Sequence, residues 1–132
     1  MEILSALPLS AVPTASISRG RAVVIATSST ATQLNCTAAS AGARAIGIAA
    51  QDGSATTGPI PIAVPGMTTT ARVDGNSTAI AANDMLKVGT DGDLVKATAD
   101  GEYVIAIALQ PATTADAYIQ VLVTGFSLSV PA

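Results

Sequence analysis

The segment Pro59-Ile60-Pro61-Ile62-Ala63-Val64-Pro65 constrains the fold of this chain more than any other. Prolines this closely spaced exclude a helix interior, because each removes an amide donor and clashes with the turn before it. Extended backbone remains. Alternation along a strand then puts Ile60, Ile62 and Val64 on one face, while successive backbone groups point to opposite sides. Pro59, Pro61 and Pro65 strip the donors from one of those sides and leave Ala63 alone there. A ladder on that side is short of hydrogen bonds, so an edge strand with its blank side outward is expected.

The rest of the chain reads as short strands separated by turn residues. Residues 21–26, 33–37, 45–49, 70–73, 85–88, 94–97, 103–109 and 118–123 carry the Val, Ile, Leu and Ala runs. Gly89-Thr90-Asp91-Gly92-Asp93 between two of them reads as a hairpin, since Asp-Gly tolerates the positive φ of tight turns. Residues 103–109 are apolar on both faces, as in a central strand, and Ile119, Val121 and Val123 are expected to point inward. Helical spacing is confined to residues 77–83. Residues 45–51 (AIGIAAQ) also align with residues 104–110 (VIAIALQ), a shift of 59 (110 − 51). Two-strand units precede both copies, 23–26 with 33–36 and 85–88 with 94–97. Two related halves closing one small barrel or sandwich fit this pattern, and two copies at this period are not a solenoid.

Such a core lacks large rings. Only 2% of residues are aromatic, whereas each buried Phe, Tyr or Trp covers about 150–250 Å². A core of Ala, Val and Ile gains from burying further surface against copies of itself, so a homo-oligomer is expected.

The segment before residue 19 is apolar but interrupted by Pro8 and Pro13, without a period of 3.6 or 2. It lacks the basic start of a signal peptide, and no run approaches the roughly 20 apolar residues of a membrane span. The domain reading is an extended N-terminal arm over residues 1–18 and a single β-barrel-like domain over 19–132. The arm's Ile3, Leu4, Leu7, Leu9, Val12 and Ile17 are too apolar for a solvated tail.

Chemistry is sparse. The chain has no His and one Cys, which removes His-dependent triads, Cys–His pairs and the usual zinc sites. Cys36 reads as a small buried hydrophobe. Asp91 and Asp93 read as a solvated turn rather than a carboxylate pair, and no glycine-rich phosphate loop occurs. No catalytic, cofactor-binding or metal-ligating residue is assigned, and no cofactor is implied. Six scattered cations and a net charge of −3 do not suit nucleic acid. Arg19-Gly20-Arg21, where arm meets barrel, is the one candidate for an acidic partner patch.

Three elements in sequence resemble a known family. A two-strand unit (residues 84–88 and 93–97) is followed by the small-residue strand Val104-Ile105-Ala106-Ile107-Ala108-Leu109. The polar-entered strand Asp116-Ala117-Tyr118-Ile119-Gln120-Val121-Leu122-Val123 completes it. This pattern resembles the capsid decoration (cement) proteins of tailed bacteriophages. The resemblance implies a β-barrel or β-tulip, often a homotrimer, on the outer surface of the expanded head in the virion. There it would bind the major capsid protein and stabilise contacts between capsomers, without enzymatic activity. It also implies capsid contact through the arm, making Ile3, Leu4, Leu7, Leu9, Val12, Ile17, Arg19 and Arg21 the candidate interaction residues. A head-fibre, tail or surface-adhesin β-domain is the alternative.

Overall fold

A computed structural model describes residues 9–130. Ten strands follow one another: β1 (Leu9–Pro13), β2 (Ala22–Ile25), β3 (Asn35–Ala38), β4 (Gly47–Ala49), β5 (Ile60–Ala63), β6 (Thr68–Val73), β7 (Met85–Val88), β8 (Leu94–Lys96), β9 (Tyr103–Ala108) and β10 (Ala117–Ser127). Among the described residues the one helical turn is Thr90–Gly92, between β7 and β8. Asp91 at φ 56° and Gly92 at φ 84° give it the left-handed backbone that the Asp-Gly pair is suited to. Residues 77–83 form no helix. Ile80 instead bridges to Ala112, with reciprocal backbone hydrogen bonds of 2.8 and 2.9 Å.

The fold is all-β, with two related halves, and each half closes its own five-stranded barrel. The first has the order β1-β3-β2-β4-β5 and the second β10-β6-β8-β7-β9. Each contains one parallel pairing, β1 with β3 and β6 with β8, in an otherwise antiparallel ladder. Equivalent strands keep equivalent partners. Ile48 lies opposite Ala63, and Ile107 opposite Leu122, both shifted by 59 (107 − 48 and 122 − 63). Val23 lies opposite Gly47, and Leu86 opposite Ala106. The bridge between Ile17 and Gly53 matches that between Ile80 and Ala112. Even the left-handed backbone is repeated, at Gly20 (φ 90°) and Asn83 (φ 76°), each donating its N–H to the end of the central strand, Ala49 or Ala108. The repeat seen in 45–51 and 104–110 therefore extends through all ten strands. Upstream its alignment needs correcting: Val23 corresponds to Leu86 and Cys36 to Leu94, because the loops between strands differ in length.

Three expectations change with this architecture. One barrel becomes two, since five short strands suffice to close each. The arm expected over residues 1–18 is a strand for part of its length. β1 pairs with β5 on one side and β3 on the other, so Leu9–Pro13 belongs to the first barrel; residues 1–8 lie outside the described residues. The proline strand β5 is not an edge, for it lies between β1 and β4. The Pro61 carbonyl still accepts from the Ala50 N–H at 3.0 Å, and Ala63 lies opposite Ile48. The repeat shows why the missing donor is tolerated. At Gln120, the matching position, the backbone N–H is satisfied by the side chain of Gln110 (2.8 Å), not by the ladder. A ladder that takes no donor at this position accepts proline there.

Two apolar clusters follow from the two barrels. Ala11, Ile17, Val23, Cys36, Ala49, Ile60 and Ile62 fill the first barrel. Their counterparts Ala71, Ile80, Leu86, Leu94, Ala108, Ile119 and Val121 fill the second. Ala22, Ile48 and Ala63 belong to strands of the first barrel yet sit in the second barrel's cluster. They form a row across β2, β4 and β5, with Ala22 opposite Ile48 and Ile48 opposite Ala63. This row docks the first barrel on the second.

Candidate interaction surfaces

The candidate residues read from the sequence separate into three places. Ile3, Leu4 and Leu7 lie outside the described residues. Leu9 and Val12 are half-buried on β1, and Ile17 is buried in the first core, bridged to Gly53. Arg19 and Arg21 meet groups of their own chain. The Arg19 amide donates to Asp52 Oδ1 at 2.6 Å, and its guanidinium lies 5.4 Å from the centre of the Tyr118 ring. The Arg21 guanidinium donates to the Asp91 carbonyl at 2.6 Å and lies 4.0 Å from Asp93 Oδ1. The acidic patch that Arg19-Gly20-Arg21 faces thus includes second-barrel residues.

Further charges gather at this junction. Arg72 Nε stands 3.4 Å from Asp93 Oδ1, and its Nη2 donates to Asp116 Oδ1 at 2.7 Å. Asp93 Oδ1 therefore lies between Arg21 and Arg72, held by charge rather than by aligned hydrogen bonds. Burial pushes the Asp93 carboxyl up, against the pull of the Arg72 and Arg21 charges. The hydrogen bond to Asp116 raises Arg72, and burial opposes it. Where desolvation offsets attraction, an ion pair adds little net stability. The apolar row Ala22–Ile48–Ala63 packs into the second barrel's cluster beside these charges. Two backbone bonds also join the barrels, Arg72 N–H to Gly20 O and Gly42 N–H to Val88 O, both 2.9 Å. Asp91 is the solvated turn that the sequence suggests. Asp93 is not, because the arginines that enclose it come from distant parts of the chain.

A groove of about 680 Å³ opens beside the junction, lined among others by Arg44, Asp74, Lys87, Asp93, Glu102 and Tyr103. Its charges are engaged locally. Lys87 pairs with Glu102, whose Oε1 also accepts the N–H groups of Thr98 (2.9 Å) and Ala99 (2.6 Å). Arg44 lies 5.3 Å from the centre of the Tyr103 ring, and Asp74 accepts the Asn76 N–H at 2.9 Å to close its own turn. Among the described residues no cluster of three or more His, Cys, Asp or Glu could hold a metal ion. Cys36 is buried in the first core, and desolvation pushes its thiol up, away from the thiolate that reactivity needs. The charged groups of the junction hold the two barrels against each other.

No protein-family model matches the sequence, and neither does any curated protein. Among solved structures, the chain is similar to the N base of the head fiber gp8.5 of bacteriophage phi29. The TM-score is 0.70 at 14% sequence identity, over 94% of this chain and 98% of that one. At this identity the likeness establishes a shared fold. Coverage this complete takes in both barrels.

Proposed function

We propose that this chain is a non-enzymatic structural protein of a tailed-phage head. It sits on the outer surface of the expanded head, binds the major capsid protein and stabilises contacts between capsomers. The observation that carries this reading is the fold likeness to a head-fiber base over 94% of the chain. The decoration-type strand pattern of residues 84–123 agrees with it. Many weak contacts repeated over a lattice give high avidity without chemistry, which suits a surface whose charges are already paired internally. The printed description of that neighbour favours a second reading, in which the double barrel is the foot of a head fibre.

The candidate contact residues differ in how the fold holds them. Ile17 is buried in the first core and Arg21 is engaged at the junction, so the reading rests less on them, whereas the exposed Arg19 stays in the set. Ile3, Leu4 and Leu7 remain, with Leu9 and Val12 beside them on β1. Removing residues 1–8 leaves β1 intact from Leu9 and is expected to lower binding to purified expanded heads about tenfold or more, the loss of one or two buried apolar anchors. Co-sedimentation with heads measures this, and an unchanged melting temperature shows that both barrels persist. Undiminished binding by the shortened chain would remove this segment from the contact.

A further inference from the structure

The internal repeat shows which surface this fold uses to bind a copy of itself. In the first barrel the row Ala22–Ile48–Ala63 is 0%, 0% and 3% exposed, because the second barrel covers it. Its counterpart in the second barrel is the row Met85–Ile107–Leu122, in the same register across β7, β9 and β10. Here the small residues are replaced by larger ones and the cover is gone: Met85 is 36% exposed, and Ile107 and Leu122 are only half-buried. Leu109, at the end of the same central strand, is 46% exposed. The receiving side shows the reverse. Val88, at the end of β7 where Gly42 of the first barrel bonds, is 1% exposed, whereas its counterpart Ile25 on the first barrel is 36% exposed.

Each barrel thus uses one half of the same interface and leaves the other half open. The geometry points to a head-to-tail contact between copies of this chain, in which the Met85–Ile107–Leu122 row of one copy seats on the Ile25 surface of the next copy's first barrel. The occupant is a second copy because a barrel of this fold already covers the equivalent row within the chain. Such a contact is heterologous, so successive copies close into a ring if the rotation permits, or extend as a chain. An aromatic-poor core gives the same association an energetic reason, since it recruits apolar surface that one copy cannot bury alone. The inference does not depend on attachment to a head.

Sedimentation of the full chain over a concentration series tests it. The unaltered chain is expected to associate, and Met85→Glu with Ile107→Glu to weaken association about tenfold or more by placing charge in a buried contact. Ile25→Glu, a change of an exposed residue on the other barrel, is expected to do the same and keeps the test independent of any folding defect in the first variant. Mixing the two variants is the decisive arm. One retains a sound receiving surface and the other a sound row, so together they form a 1:1 dimer that grows no further. A monomeric unaltered chain overturns the inference. So does an Ile25→Glu chain that associates normally, or a mixture of folded variants that stays monomeric.

Discussion

Deleting residues 1–13 is expected to unfold the first barrel, with loss of amide protection throughout β2–β5. The deletion removes β1, the only strand between β3 and β5. It breaks the bonds from Val12 N–H to Leu34 O (2.8 Å) and those that pair Leu9, Ser10 and Ala11 with β5. It also opens two buried edges and wets Cys36, Ile60 and Ile62, all nearly fully buried. Each buried Ile contributes about 1.5–3 kcal/mol, so wetting two of them together with Cys36 and breaking the ladder bonds approaches the roughly 5–15 kcal/mol that holds a domain of this size folded. Hydrogen exchange read by mass spectrometry measures this strand by strand. Protection of β2–β5 equal to that of the full chain would show that residues 9–13 are an arm after all.

Replacing Gly47 by valine is expected to destabilise the first barrel by about 3 kcal/mol or more, at the upper end of overpacking costs. A Cβ at this position would fall within contact distance of the Ala63 carbonyl oxygen and 2.7 Å from Ile62 Cγ2. The obstacle is backbone of the neighbouring strand, which cannot rotate away. The counterpart Ala106 is buried without such an approach, so Ala106→Gly is expected to cost only about 1 kcal/mol, from lost packing and added chain entropy. Thermal unfolding of the two variants side by side measures the contrast. Equal losses would mean that the two central strands approach their neighbours alike.

The same position shows how far the sequence was legible. Gly47 standing where the repeat has Ala106 looks like a mismatch, and it proves to be the residue that lets β4 and β5 come close. The strands of the second barrel were readable because their apolar runs are bounded by turn residues, as at Asp91-Gly92. Local pattern does not mark β1, although the repeat carries its signal. Position 69 in β6 answers to Leu9, so the repeat, carried one strand further back, places a strand inside the apparent arm. Pro13 stands at the end of β1 rather than breaking it. The prolines of β5 read as lost donors, whereas the ladder there needs acceptors such as the Pro61 carbonyl. The junction was not legible at all. Arg21, Arg72, Asp93 and Asp116 converge only once the barrels dock, and no local spacing signals that four such residues will share one seam.

The most direct test of a head-bound structural role is the number of copies of this chain in purified virions, counted by quantitative mass spectrometry against the major capsid protein. The account predicts a fixed stoichiometric fraction of the capsid protein, with a value near one-to-one or a simple fraction marking lattice-wide decoration and a few copies marking fibre feet. Absence of the chain from purified particles would contradict it.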